Sequence, residues 1–199
     1  MTKDHSGADF YRRSIRLKEY DYSRPGAYFI TICTDKGKNV FGAIADGEMQ
    51  LDEYGVIAER YTEKISRRFQ GAKVDKYVIM PNHIHMIIGI IVEAIHELPL
   101  QPDVDTLGTR RKMLIPKIVG YYKMNVSRDI NRIQHKTAFP VWQRNYYEHI
   151  IRNERELNHI RRYVINNPAQ WEYDRENRNG IPIDEKCKFW DKFLNELDL

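Results

Sequence analysis

Short runs of β-branched and aromatic residues recur along the chain and predict the strands of a sheet. Three long runs cover residues 27–34 (AYFITICT), 72–80 (AKVDKYVIM) and 83–92 (HIHMIIGIIV). Between the first two lies FGAIADGEMQL, in which Asp46 and Gly47 form the dipeptide that favours a tight two-residue turn. A fourth segment, AFPVWQRNYYEHII, is predicted to be extended at least in part. The pattern therefore predicts a small hairpin among longer strands.

Apolar residues that recur every three or four positions predict three helices. These run from Asp52 to about Phe69, over 113–131 and over 153–167. Asp52 is a residue type that caps the start of a helix. Because of Pro116 and Gly120, the pattern does not fix the residue at which the second helix begins. Pro168 is expected to end the third helix, because the residue before a proline avoids the α region.

Strands and helices alternate, but the hairpin and the short connections favour antiparallel pairing. We therefore predict an α+β fold, a ferredoxin-like antiparallel sheet with helices packed mainly on one face. The predicted organisation is a basic N-terminal arm (1–26), a main domain (27–168) with a loop at 93–110, and a C-terminal extension (169–199) packed on the domain.

The chain is mildly basic, since 32 Lys and Arg against 28 Asp and Glu give a net charge of +4. This permits a polyanionic partner without requiring one. Cys33 and Cys187 are the two cysteines and form no CxxC motif, so neither a disulfide framework nor a cysteine-built zinc site is predicted. The polar start, MTKDHSGADF, is not typical of a signal peptide, and no apolar run is long enough to span a bilayer. We therefore expect a cytoplasmic protein with no membrane partner.

The stretch MPNHIHMIIG, residues 80–89, places two histidines in an otherwise apolar strand. Because alternate residues of a strand face the same side, His83 and His85 project together, while Ile84 and Met86 face the core. Two neutral imidazoles can hold a divalent cation if a third ligand comes from elsewhere. On its own the pair does not distinguish a metal site from two satisfied or solvent-facing histidines.

The stretch RRYVINNP, residues 161–168, places Tyr163 and Asn167 one turn apart on a single helix face. A phenol oxygen and an amide oxygen would then point to the same place, with Arg162 beside them. A core tyrosine followed by an asparagine that ends the helix is the simpler interpretation of this spacing.

The order of several motifs is more specific than any one of them. MPNHIHMII, followed later by WQRNYYEHIIRNERELNHIRRYVINNPAQW, resembles the single-tyrosine HUH transposases, and most of all the REP-associated tyrosine transposases. The resemblance covers about residues 23–171 and includes YFITICT and IVGYYKMNVSRDIN. It implies a transposase domain at 27–168 that cleaves and rejoins single-stranded DNA, at hairpin-bearing sites, through a 5′-phosphotyrosine intermediate.

The resemblance also implies a role for each matching residue. His83 and His85 would bind Mg²⁺ or Mn²⁺, Asn167 would complete the metal site, and Tyr163 would be the nucleophile. We expect the ion and Arg162 to favour ionisation of the phenol. The resemblance is compatible with either a monomer or a homodimer.

Five basic residues are predicted contacts to the DNA backbone. They are Arg12, Arg13, Arg16, Arg152 and Arg162. His149 is a further candidate to line the site, and a purely structural histidine is the equal alternative.

Two other functions stay open at this point. One is a nucleic-acid-binding module that keeps the scaffold without catalysis. The other is a metal-dependent hydrolase that uses the histidine pair without a covalent step, which the lack of an evident carboxylate–histidine cluster weakens. A replication initiator or relaxase would share the histidine pair, but such proteins often place the tyrosine before it.

Overall fold

The computed structural model describes residues 20–91, 113–136, 139–182, 184–186 and 188. In these residues the strands are β1 (Gly26–Cys33), β2 (Gly42–Ala45), β3 (Glu48–Leu51), β4 (Ala72–Met80), β5 (His83–Ile90) and β6 (Tyr147–Ile151). The α-helices are α1 (Glu53–Arg68), α2 (Leu114–Ile133) and α3 (Glu154–Asn166), with short 3-10 helices at Asp35–Gly37 and Pro168–Tyr173. The predicted loop at 93–110 and residues 1–19 of the predicted arm lie outside the described residues.

The main sheet has four strands in the order β4-β5-β1-β6, and each neighbouring pair is antiparallel. α1 lies between β1 and β4 in the chain, while β5 lies between those two strands in the sheet. This split β-α-β arrangement is the ferredoxin-like topology. The predicted α+β class and antiparallel sheet are therefore confirmed.

The two faces of the sheet carry different side chains. On one face, α1 and α2 pack against a core that includes the fully buried Ile30, Ile84, Met86 and Tyr122. On the other face, α3 packs against a smaller apolar cluster that includes Phe29 and Val164. Of these three described helices, α1 and α2 thus lie on one face, as predicted, and α3 faces the histidine side of β5.

Two local predictions are confirmed at the hairpin and the start of α1. Asp46 and Gly47, between β2 and β3, have φ angles of 52° and 76°, as a tight two-residue turn requires. The carboxylate of Asp52 accepts hydrogen bonds from the backbone N–H groups of Tyr54 and Gly55, both at 2.9 Å. These bonds satisfy amides that have no partner within the helix.

α3 ends at Asn166, just before Pro168, as predicted, but the reason given for that end does not hold. Asn167 precedes Pro168, yet it keeps helical backbone angles of φ −56° and ψ −40°. Proline needs no N–H partner in the first turn of a helix, so Pro168 begins the 3-10 helix Pro168–Tyr173 instead of breaking the chain direction. As a result the residues that follow return to the histidine face of the sheet.

None of the helices in the described part of the chain is both long and apolar enough to cross a membrane.

Two helical glycines provide a matched test of this packing. A Cβ on Gly120 of α2 would have no atom within 4 Å, whereas a Cβ on Gly55 of α1 would lie 2.3 Å from the carbonyl oxygen of Phe41. Gly120→Ala should raise the free energy of unfolding by about 0.5–1 kcal/mol, because it removes backbone entropy from the unfolded chain. Gly55→Ala should lower it by about 1–3 kcal/mol, because the backbone at Phe41 must move.

Urea unfolding followed by circular dichroism measures both changes. A Gly55→Ala variant at least as stable as the wild type would contradict the close approach of α1 to Phe41.

Candidate active site

The histidine pair of β5 lies on the face of the sheet that α3 covers. His83 is 0% exposed and His85 is 3% exposed, so the alternative of solvent-facing histidines is wrong. The two Nε2 atoms face each other at 3.0 Å. Burial of such polar nitrogens is costly unless each has a partner.

The outer nitrogens of both imidazoles are held by neighbouring side chains. Nδ1 of His83 lies 2.8 Å from Oδ1 of Asn82, and Nδ1 of His85 lies 2.9 Å from Oγ1 of Thr31. Thr31 is directly opposite His85 in the pairing of β1 with β5. Metal-binding histidines commonly use the second ring nitrogen in this way, which orients the ring and its free lone pair.

Tyr163 approaches the pair from α3. Its hydroxyl oxygen lies 2.8 Å from Nε2 of His85, and the two ring centroids are 5.1 Å apart. Phe29 of β1 contacts both rings, with centroid distances of 5.1 Å to His85 and 5.9 Å to Tyr163. The apolar cluster around Phe29 and Val164 fixes α3 on the sheet and so aims the phenol at the imidazoles.

Asn167, one turn after Tyr163, reaches the same place. Its Nδ2 donates to Oδ2 of Asp174 at 3.0 Å. Its Oδ1 is buried and has no hydrogen-bond partner among the described residues. A buried amide oxygen without a partner is costly, and it is an atom that could bind a cation.

Asp174 is the member of the group that the sequence analysis missed. It is 1% exposed, and its Oδ2 lies 3.8 Å from Nε2 of His83 and 4.0 Å from Nε2 of His85. The same oxygen accepts from the Tyr163 hydroxyl at 3.4 Å. The sequence shows an acidic residue shortly after Asn167. Assigning it to the site, however, requires knowing that the chain turns back after Pro168.

Burial and charge set the ionisation of the two acidic groups. Burial opposes ionisation of Asp174, but the imidazoles of His83 and His85 and the amide of Asn167 outweigh it and hold the pKa of this carboxyl below its ordinary value. Burial raises the pKa of Tyr163 well above its ordinary value, and the charge of Asp174 raises it further. The group therefore combines a carboxylate with a neutral phenol.

The expected effect of Arg162 on the phenol is not what the structure gives. The side chain of Arg162 is exposed. The largest effects on the pKa of Tyr163 are burial and the charges of Asp174 and Glu176, all of which raise it. Sequence spacing placed a cation beside the phenol but gave no indication of this burial.

The donor atoms fit a divalent cation. Ligand atoms of His83, His85 and Asp174 all lie within 4.8 Å of one another. Two ligands about 2.1 Å from an ion and at right angles are about 3.0 Å apart, close to the separation of the two imidazole nitrogens. The amide oxygen of Asn167 would add a further donor. A set of nitrogen and oxygen donors suits Mn²⁺ and Mg²⁺ among other divalent ions.

The structure describes three of the other predicted site residues, His149, Arg152 and Arg162. His149 on β6 contacts Glu156 at 2.6 Å, near the start of α3, and is paired across the sheet with Phe29. Arg152 and Arg162 are exposed. The remaining predicted DNA contacts, Arg12, Arg13 and Arg16, lie outside the described residues.

No protein-family model matches this chain. One similar solved structure is a REP-associated tyrosine transposase bound to a REP hairpin, with a TM-score of 0.47 and 16% identity, covering 78% of this chain and 73% of that one. Another is a protein from Deinococcus radiodurans R1 described as a candidate transposase, with a TM-score of 0.42 and 16% identity, covering 76% and 97%. At TM-scores below 0.5 neither similarity carries weight for the activity.

A protein relative gives the firmer result. An uncharacterized protein from Haemophilus influenzae is 41% identical over 178 residues, which cover 88% of this chain and 98% of the relative. Identity at this level over nearly the whole relative shows membership of one family and not only a similar fold. The chain belongs to the same protein family as this Haemophilus influenzae protein.

Proposed function

We propose that the protein cleaves and rejoins single-stranded DNA at hairpin-bearing sites, in a metal-dependent reaction with Tyr163 as the nucleophile. The observation that supports this most is the convergence of a phenol on a possible cation site. The hydroxyl of Tyr163 lies 2.8 Å from His85, within the His83–His85–Asp174 group. A nucleophile held beside a cation site is the arrangement that attack on a phosphodiester requires.

His83, His85, Asp174 and the amide oxygen of Asn167 are the residues that would hold the ion. Mg²⁺ or Mn²⁺ bound there would neutralise charge on the phosphate and orient it. The buried and unpartnered Oδ1 of Asn167 supports its inclusion. Because Mg²⁺ prefers oxygen ligands, we expect Mn²⁺ to bind more tightly to a site with two imidazoles.

The covalent step exchanges one phosphate ester for another. The oxygen of Tyr163 attacks the phosphorus, the bond from phosphorus to the 3′ oxygen breaks, and the phenol proton is balanced by the proton gained by the leaving 3′-OH. The 5′-phosphate stays on Tyr163 as a diester, so the reverse reaction rejoins DNA without a nucleotide cofactor. With the ion bound, the Nε2 lone pair of His85 would be engaged by the metal. The Asp174 carboxylate, whose Oδ2 lies 3.4 Å from the hydroxyl and has further lone pairs, is then the group placed to accept the phenol proton.

The DNA strand would run along the exposed side of α3. Arg152 and Arg162 are exposed near the start and the last turns of this helix, and phosphate contacts there would bring the backbone towards Tyr163. Arg12, Arg13 and Arg16 remain predicted contacts. We propose that the protein acts in the cytoplasm, as a monomer or a homodimer.

Asp174 also strengthens one competing function. Two histidines and a carboxylate are a donor set that metal-dependent hydrolases use to activate water. Such an enzyme would cut DNA without a covalent intermediate, and its activity would not require the hydroxyl of Tyr163. A module that binds DNA without cutting it would leave both the cation site and the phenol unused.

Loss of the phenol hydroxyl separates these functions. Wild-type protein incubated with hairpin-bearing single strands and Mn²⁺ should give a protein–DNA adduct on a denaturing gel. Tyr163→Phe should give none, because the attacking oxygen is missing, and should keep DNA binding largely unchanged. Tyr121→Phe is the matched control, since that ring packs against Tyr61 and Phe69 on the other face of the sheet.

An adduct that persists in Tyr163→Phe would refute the assignment of the nucleophile. Strand cleavage by this variant without an adduct would favour the hydrolase, and binding with no cleavage by the wild type would favour the non-catalytic module.

The donor set predicts which side chains metal binding needs. Asp174→Asn should weaken Mn²⁺ binding in the absence of DNA by at least about tenfold, because it removes the negative charge next to both imidazoles. Asn167→Ala should also weaken binding, and His83→Ala should weaken it most. Isothermal titration calorimetry measures these affinities. Asp129→Asn is the control, since Asp129 contacts Arg60 and Tyr61 away from the site. Unchanged affinity in Asp174→Asn would exclude that carboxylate from the donor set.

A further inference from the structure

Asn82 occupies the tight connection between β4 and β5 and touches two parts of the candidate active site. Its side chain is buried, with 2% of the residue exposed. Nδ2 donates to the backbone carbonyl of Glu176 at 2.7 Å and to that of Gly37 at 3.3 Å. Oδ1 lies 2.8 Å from Nδ1 of His83. A single amide therefore joins the first histidine of the pair to the segment that follows α3.

These contacts fix the orientation of the amide. Backbone carbonyls can only accept hydrogen bonds, so the nitrogen of Asn82 must face Glu176 and Gly37. The amide oxygen must then face the imidazole of His83. An amide oxygen can only accept, so the proton of this hydrogen bond belongs to Nδ1 of His83. In the neutral ring Nε2 consequently keeps its lone pair, which is directed towards His85 and Asp174.

The second histidine has no such constraint. Its partner is the hydroxyl of Thr31, 2.9 Å from Nδ1 of His85. A hydroxyl can donate or accept, so Thr31 is compatible with either tautomer of His85. Asn82 and Thr31 therefore have different effects, although both contact the outer nitrogen of an imidazole.

The other end of the Asn82 amide bears on Asp174. The backbone N–H of Glu176 donates to Oδ1 of Asp174 at 2.6 Å, which orients that carboxylate within a short turn. Asn82 donates its hydrogen bond to the carbonyl of the same residue, Glu176. Trp171, at the start of this segment, stacks on the ring of His83 with a centroid distance of 6.1 Å. The segment is thus linked to the imidazole of His83 both by the Trp171 ring and through the Asn82 amide.

We propose that Asn82 is a positioning residue for the metal centre: it fixes the tautomer of His83 and, through Glu176, the place of the Asp174 carboxylate. This rests on the proposed function only in naming a metal as the ligand of these groups. The inference concerns the protein before any ion or DNA binds, so its test does not need an active enzyme.

Three substitutions separate the two effects. Asn82→Ala removes both the acceptor for His83 and the donor for Glu176. Asn82→Asp keeps an acceptor for the imidazole but puts a carboxylate against two carbonyls, so it should release the turn and keep the tautomer. Asn177→Ala loosens the same segment from within, since Nδ2 of Asn177 donates to the carbonyl of Trp171 at 2.9 Å, and does not touch His83.

Two measurements on the metal-free protein report the tautomer of His83 and the anchoring of Glu176 separately. Nitrogen-15 NMR of the histidine side chains should find Nδ1 of His83 protonated in the wild type, in Asn82→Asp and in Asn177→Ala, and a mixture of tautomers in Asn82→Ala. Amide hydrogen exchange at Glu176 should accelerate in both Asn82 variants. Asn145→Ala, at an exposed asparagine, is the control and should match the wild type in both measurements.

Mn²⁺ affinity supplies a third measurement. Loss of a partner that orients a metal-binding histidine typically costs about 10–100-fold in affinity, so Asn82→Ala should weaken binding by that factor and Asn82→Asp by less. Thermal unfolding checks that the variants are folded. If Asn82→Ala does not fold, the wild-type spectrum still decides, because a proton on Nε2 of His83 would overturn the proposal.

The proposal is also overturned if Asn82→Ala keeps the wild-type tautomer and exchange rate, or if Asn177→Ala changes the tautomer as much as Asn82→Ala does. These failures differ from failure of the proposed function. A wild type with the expected tautomer and exchange that forms no covalent adduct would refute DNA cleavage by Tyr163 and leave the role of Asn82 intact.

Discussion

Two imidazole nitrogens that face each other at 3.0 Å, away from water, are the constraint on which the site depends. Two lone pairs at that distance repel, so a proton or a cation must lie between or beside them. The surroundings of His83 and His85 favour positive charge, because the Asp174 carboxylate lies within 4.0 Å of both nitrogens. The hydroxyl of Tyr163 also contacts this pair, at Nε2 of His85.

The fold can bury this histidine pair because the two faces of β5 pack against different helices. Ile84 and Met86 of β5 face α1 and α2 and belong to the main core, so they hold the strand in register. His83 and His85 alternate with them and face α3. In the described part of the chain α3 is the α-helix that covers that face, and the apolar cluster around Phe29 and Val164 fills only part of it. The rest can hold polar groups.

Much of this could be predicted from the sequence, because it depends on local periodicity. Strand alternation placed the histidines on one face, and helical spacing placed Tyr163 and Asn167 together. Asp174 could not be found in this way, since its approach depends on a 3-10 turn with no periodic pattern. Pro168 marked the end of α3 correctly, but the 3-10 helix that begins at this proline could not be predicted for the same reason. The raised pKa of Tyr163 follows from burial, which charge spacing along the chain does not report.

The cost of this arrangement is itself informative about its purpose. A buried amide oxygen without a partner, such as Oδ1 of Asn167, costs about 1–3 kcal/mol. Buried charged groups such as Asp174 are often replaceable by apolar residues with no loss of stability. A site that served stability alone would therefore be expected to bury apolar side chains between α3 and the sheet. The polar group instead keeps a donor set that a cation would complete, including the unpartnered Oδ1 of Asn167, so its cost is better explained by binding than by folding.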